Sequence, residues 1–370
     1  MKKNLGVSFI FFVLIFLTSC SSVINKDALS SLPKGTILII GAPYQGKSTI
    51  AVKDIAGNVT ITSKELGLIA SDAEKLGNNL YVLHSGDNTL KILDISTLNT
   101  SHDLFLGTGN NVYEVSLVDS KKAYVSNFLK GTVSKIDLTN DSTPVIGTIQ
   151  LPTGDALLPF NLSNPTFSGP AAIFYEKNCD KIFVGLTNLD ATYMPGGPGL
   201  IAVINGSTDV LETVVNSQFL NPQCIYYNDN FSDYLYISFA GSFFDSTDGA
   251  ILAFDLKTQK FVHEIKNLES PMKIAIDKNG NGFFTDGGIG ANLGRFNALN
   301  FTYDKKVVLQ SSEISFSTSA WISDIYCDSN NNWYCSVVDN KNGYLCKIDY
   351  EGKVLELFKI NSYPSKIIEI

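Results

Sequence analysis

From residue 78 to residue 99 the chain reads NNLYVLHSGDNTLKILDISTLN. Two apolar, β-branched runs, 80–83 and 89–95, flank the polar stretch Ser85-Gly86-Asp87-Asn88. Such runs joined by Gly-Asp-Asn punctuation predict two strands and a hairpin turn, followed by a second turn at Ser96. Similar units recur along most of the chain.

The aromatic or apolar centre of the second strand of each unit falls at Leu38, Tyr81, Tyr124, Phe183, Tyr236, Phe283 and Tyr334. Successive spacings are 43, 43, 59, 53, 47 and 51 residues. Four short strands per period of this length predict an all-β fold, a seven-bladed β-propeller of four-stranded blades over residues 35–370. Inner strands are expected at 222–227 and 271–276, aromatic strands at 235–239 and 282–285. Third strands are expected at 250–255 and 344–349, outer strands at 260–266 and 353–360. Pro170, Pro222, Pro271 and Pro364 open inner strands, where no ladder donor is lost. The first unit has no inner strand of its own, and Tyr363-Pro364-Ser365-Lys366-Ile367-Ile368 echoes Ser270-Pro271-Met272-Lys273-Ile274-Ala275. The C-terminal strand is therefore expected to complete the first blade and close the ring.

Composition refines this reading at the N-terminus. Lys2 and Lys3 precede an apolar run over 7–17, too short to span a bilayer. The run ends in Leu17-Thr18-Ser19-Cys20, which resembles the lipobox of bacterial lipoproteins. That resemblance implies a signal peptide over 1–19, acylation (palmitate or a similar chain) at Cys20 and a polar tether over 20–34. It also implies a lipid-anchored place in the cell envelope, outer-surface or periplasm-facing, with the membrane as a partner. Loss of the leader changes the formal charge from -8 to -10, because two of the 28 basic residues go while all 36 acidic ones stay. With no basic stripe, nucleic acid is not expected as a partner.

Tyr81-Val82-Leu83, Asp87-Asn88-Thr89-Leu90, Ile92 and Asp94 resemble the YVTN β-propeller repeat of bacterial and archaeal surface proteins. Ala123-Tyr124-Val125-Ser126-Asn127 comes close to its name. The resemblance extends over 35–370, is sharp only in the second and third units, and implies a seven-bladed ring without implying one function.

Gly41-Ala42-Pro43-Tyr44-Gln45-Gly46-Lys47-Ser48 satisfies the Walker A pattern, but a P-loop requires a helix after it. The following Thr49-Ile50-Ala51-Val52-Lys53 is β-branched and aligns on the third strand of the next unit, so the motif reads as a turn and no nucleotide is expected there. Cys335 and Cys346 lie equidistant from the Asn340-Lys341 turn, which makes them candidates for a cross-strand disulfide. With Cys327 they lack the spacing of a zinc site. His84, His102 and His263 read as surface or turn residues of separate blades without metal partners, and no catalytic residue or resident cofactor is assigned.

Loops joining strands two to three, and strand four to the next blade, open on one face. The long insertions, 154–169, 188–199, 240–249, 286–294 and 310–320, all belong to that set. Ligand contacts are expected where long loops crowd one rim. The candidates are Phe160, Phe167, Tyr193, Phe243, Phe244, Asp245, Asp286 and Trp321, with Met194, Asp155, Asp190, Asp248 and Asp324 nearby. The function expected is a binding or scaffold module for a protein, small-molecule or glycan ligand. The alternative is a lactonase- or lyase-like enzyme using a divalent cation held by these aspartates at the axial mouth.

Overall fold

The computed structural model of the protein describes residues 32–42, 46–62, 64–152, 167–242, 247–360 and 363–370. Cys20, Phe160, Phe243, Phe244, Asp245 and Asp155 lie outside these residues. The described strands form seven four-stranded antiparallel sheets, arranged as a seven-bladed propeller. Blade 1 combines β1 (Ile37–Ala42), β2 (Thr49–Lys53) and β3 (Val59–Ile61) with the C-terminal strand β28 (Tyr363–Glu369). The other inner strands are β4 (Ala70–Leu76), β8 (Val112–Leu117), β12 (Pro170–Glu176), β16 (Pro222–Tyr226), β20 (Pro271–Ile276) and β24 (Trp321–Cys327). Each opens one of blades 2 to 7.

All seven predicted centres lie on second strands and are at most 4% exposed. They build apolar cores between neighbouring blades: Leu38, Ile40 and Val52 meet Ala73, Leu80 and Val82 between blades 1 and 2. A strand hydrophobic on both faces has no solvated side, which suits a sheet sandwiched between two others.

Ring closure runs as expected. Ile37 pairs with Glu369, Leu38 with Ile368 and Ile39 with Ile367. The Gly35 amide donates to the Ile370 carbonyl (2.7 Å), and the Ile370 amide to the Thr36 carbonyl (2.9 Å). Three prolines open their strands; Pro364 sits second, after Tyr363.

Three expectations need correction. The insertion at 286–294 is a five-residue turn, because Asp286 ends β21 (Asn281–Asp286) and Asn292 already begins β22 (Asn292–Asn297). Its glycines read as loop, yet Gly294 is a ladder residue whose missing side chain leaves room for the Phe284 ring. His84 is fully buried rather than superficial. It also shares blade 2 with His102, which pairs with Asp141 (2.6 Å). As the turn reading of the Walker-like motif expects, Ser48 leads into strand β2 and not into a helix, and Lys47 pairs with Glu65 (3.1 Å).

Neither His84 ring nitrogen has a hydrogen-bond partner, and the ring lies against the backbone at Gly67. Burial pushes its pKa down to about 4; Asp87 and Asp103 oppose this and Lys91 adds to it. The folded state thus disfavours the proton that the unfolded chain accepts near pH 6.5. About 3 kcal/mol of stability is lost as pH falls from 6.5 to 4, with none of this contribution lost above 6.5. His84→Leu is expected to flatten the pH dependence of the unfolding midpoint across that window. An unchanged slope in the variant would place the acid sensitivity elsewhere.

Candidate functional site: the axial channel and its mouth

The innermost strand of each blade is a sheet edge, and its outward amides need partners. Here neighbouring inner strands supply them. Asp72 Oδ2 accepts from the Val115 amide (3.1 Å), Glu114 Oε2 from Ile173 (3.0 Å) and Asp324 Oδ2 from Ile367 (2.8 Å). One level along, Glu74 Oε2 accepts from Leu117 (3.0 Å) and Ser116 Oγ from Tyr175 (2.8 Å). These bonds align Asp72, Glu114, Ala172, Asp324 and Lys366 as one layer of channel-lining positions. The post-bulge register places Cys224 and Lys273 in the same layer.

Two lysines answer the carboxylates. Lys366 Nζ lies 2.9 Å from Asp72 Oδ1, and Lys273 Nζ 3.0 Å from Glu114 Oε1. Blades 3 and 6 stand opposite in a ring of seven, so the Lys273–Glu114 pair reaches across the channel and bars it. Burial alone would lower the Lys273 ammonium; the Glu114 charge reverses this and holds it well above its usual value. Lys366 is raised likewise, its burial overcome first by Asp72. Glu74 takes the other course. Water reaches it along the channel, yet protein encloses it, and burial followed by the Asp72 charge pushes its pKa up to about 8. At neutral pH Glu74 is therefore largely protonated and leaves the channel nearer to charge balance.

Above this layer every inner strand carries a register shift near its start, between Ala70 and Asp72 in blade 2 and between Pro222 and Cys224 in blade 5, for example. A bulge turns one extra residue out of the ladder. Ser71, Tyr113, Gln223, Met272, Ser323 and Ser365 occupy these positions and are all partly exposed. They form the rim of a cup on the long-loop face, with the charged layer as its floor.

From Tyr113 a chain of rings runs outward. Tyr113 stacks on Phe128 (centroids 5.4 Å apart), Phe128 meets Phe167 edge-on (5.8 Å), and Phe167 meets Tyr193 edge-on (5.5 Å). Tyr193 is 56% exposed. Thr187 Oγ1 closes beneath the chain by donating to the Gly169 carbonyl (2.8 Å); Gly169 has φ +56°, and a Cβ there would collide with that hydroxyl. Of the described candidates, Phe167 and Tyr193 thus belong to one cluster joined to the mouth. Trp321 opens β24 at the same rim, 40% exposed.

Asp286 is elsewhere. It is buried, accepts from the Gly288 amide (2.9 Å) and pairs with the outer-strand Lys306 (3.2 Å). Asp190 and Asp248 cap their own loops, accepting from the amides of Thr192 and Ser242 respectively. Among the described residues no group of three or more His, Cys, Asp or Glu is arranged to hold a metal ion. Cys335 and Cys346 are direct register partners, both fully buried and both unbonded thiols in this structure. Contact with Cys346, then burial, raises the Cys335 thiol well above its usual range.

The charged layer escaped the sequence reading although its signal was present. Asp72, Glu114, Lys273 and Lys366 each sit within an inner strand, at the same place after the bulge. The 270–275 and 363–368 echo aligns the two lysines, but only ring closure shows what they face.

No family model matches the chain, and no curated protein matches its sequence. Similar solved structures include Kuenenia stuttgartiensis hydrazine synthase, with a TM-score of 0.56 and 10% identity over 76% of this chain and 75% of that one. Another is the dihydro-heme d1 dehydrogenase NirN in complex with DHE, with a TM-score of 0.57 and 12% identity over 91% of this chain and 75% of that one. At these identities the likeness shows the fold, a β-propeller, and nothing finer.

Proposed function

We propose that this protein is a lipid-anchored β-propeller of a bacterial cell envelope, of the YVTN kind, that binds a ligand in the cup at its axial mouth. The observation that carries the reading is the ring chain from Tyr193 to Tyr113, which ends at the cup above the Lys273–Glu114 bar. Aromatic faces beside buried, oriented charges offer both apolar contact and directional hydrogen bonds, the usual composition of a ligand site. The lipobox at Cys20 and the polar stretch after it support display from a membrane. A metal-assisted reaction finds no support in Asp72, Glu74, Glu114, Asp286 and Asp324, whose bonds go to lysines and backbone amides.

The test uses full-length protein extracted from membranes of the producing cells and examined by native mass spectrometry. A retained small molecule or peptide is expected in the wild type and lost in Tyr113→Ala and Tyr193→Ala, with the melting temperature of the exposed Tyr193 variant little changed. If both variants melt lower and no retained species distinguishes them from wild type, the rings only pack on one another and the reading fails. Cys20→Ala is expected to move the protein to the soluble fraction; unchanged membrane partitioning would remove the anchor from the proposal.

A further inference from the structure

The floor of the axial cup has a surplus of hydrogen-bond donors. Asp72 and Glu114 each hold a lysine ammonium on one carboxylate oxygen and a neighbouring backbone amide on the other. The lysines are less fully used. An ammonium carries three N–H groups. Among the described residues Lys273 and Lys366 each donate a single hydrogen bond, which leaves two N–H groups on each. Their side chains are 24% and 28% exposed. Both stand on innermost strands, so this open surface faces the channel.

Tyr113 adds a neutral donor at the rim. Its hydroxyl makes no hydrogen bond among the described residues. Burial raises its pKa, with Lys273 opposing and Glu114 adding, so it keeps its proton within the field of the Lys273 ammonium. Asp324 lies on β24, between the two lysine-bearing strands of the ring, and neither ammonium bonds it. Its Oδ2 accepts from the Ile367 amide, and burial raises its pKa against the pull of Lys366 and then Lys273.

These facts limit what can enter. A carboxylate accepts several hydrogen bonds while bringing a single charge. A phosphate or sulfate dianion would meet the carboxylates of Asp72, Glu114 and Asp324 in the same layer, where repulsion is poorly screened. A cation would find the oxygens of Asp72 and Glu114 occupied and two ammonium groups facing it. We infer that the cup takes a small monocarboxylate with an apolar or aromatic body. Its carboxylate would accept from Lys273, Lys366 and the Tyr113 hydroxyl, and its body would lie along the rings that start at Tyr113. The inference rests on the axial cup being a ligand site and adds the chemistry of the ligand.

The experiment titrates full-length, membrane-extracted protein with 3-phenylpropionate, indole-3-acetate and hexanoate, each beside its uncharged primary amide, and with inorganic phosphate. Calorimetry is expected to show saturable binding of at least one acid, about tenfold or more tighter than its amide, and no binding of phosphate. Tyr113→Phe removes only the hydroxyl and is expected to weaken the acid roughly threefold to tenfold. Lys273→Gln combined with Glu114→Gln removes both charges of the bar, keeps an acceptor for the Ile173 amide and is expected to fold. In that variant the preference for acid over amide is expected to disappear, a change that looser packing alone would not produce. An amide bound as tightly as its acid, a preference for phosphate, or an acid preference that survives in both variants would overturn the inference. Native mass spectrometry separates this failure from that of the cup itself. A retained species without a carboxylate, lost in Tyr113→Ala, overturns the carboxylate and leaves the cup a ligand site. No acid bound and no retained species overturns both.

Discussion

Deletion of residues 363–370 is expected to aggregate the protein or lower its unfolding midpoint drastically. The segment is a structural strand of the first blade, although it is separated from its partner Ile37–Ala42 by nearly the whole chain. Ile367 and Ile368 are 2% and 8% exposed, and losing them forfeits roughly 3–6 kcal/mol of apolar burial. The deletion also bares the β1 edge to solvent and to other chains. Inside the channel it removes Lys366 from Asp72 and the Ile367 amide from Asp324, leaving two buried carboxylates short of partners. Against a typical total of about 5–15 kcal/mol, the sum is not tolerable. Removing 21–31 is the comparator and is expected to leave the midpoint in place. A 363–370 deletion that melts like the intact protein would show that the ring is held without β28.

Lys366→Met is expected to cost about 3 kcal/mol, nearly all of it from what it leaves behind. The Asp72 side chain is 4% exposed, and Lys366 is the cation that touches it. Removing one partner of a buried pair strands the other charge, whereas removing both is often close to neutral. The double variant Asp72→Asn/Lys366→Met should therefore recover much of the loss, since Asn keeps an oxygen for the Val115 amide. A double-mutant cycle from urea midpoints gives the coupling directly. Additive effects would mean that channel water already screens the pair and that the charged layer contributes little to the fold. The same cycle on Lys273 and Glu114 tests whether the bar across the channel is structural or kept for the ligand.

The blade count, the aromatic centres and ring closure were legible in the sequence, because a propeller repeats one local pattern. Tyr81, Tyr124 and Tyr236 occupy equivalent buried positions in similar units, and turn residues such as Asp277 and Asp328 mark the ends of their strands. Lys273 and Lys366 were aligned by the same logic. What the linear pattern could not carry was the meeting of residues from different blades. Glu114 and Lys273 are 159 positions apart and become an ion pair only when the ring closes. Tyr113, Phe128, Phe167 and Tyr193 come from four segments, and their ring contacts depend on the bulge in β8 and on Gly169. His84 ends an apolar strand beside a polar turn, a place that reads as surface; the chain at Gly67 covers it. Side-chain period and turn chemistry are local properties and so specify strands, register and blade number. Which charges share the channel, which donors they leave unused and which rings touch are set by the distances between blades, and the closed ring alone fixes those.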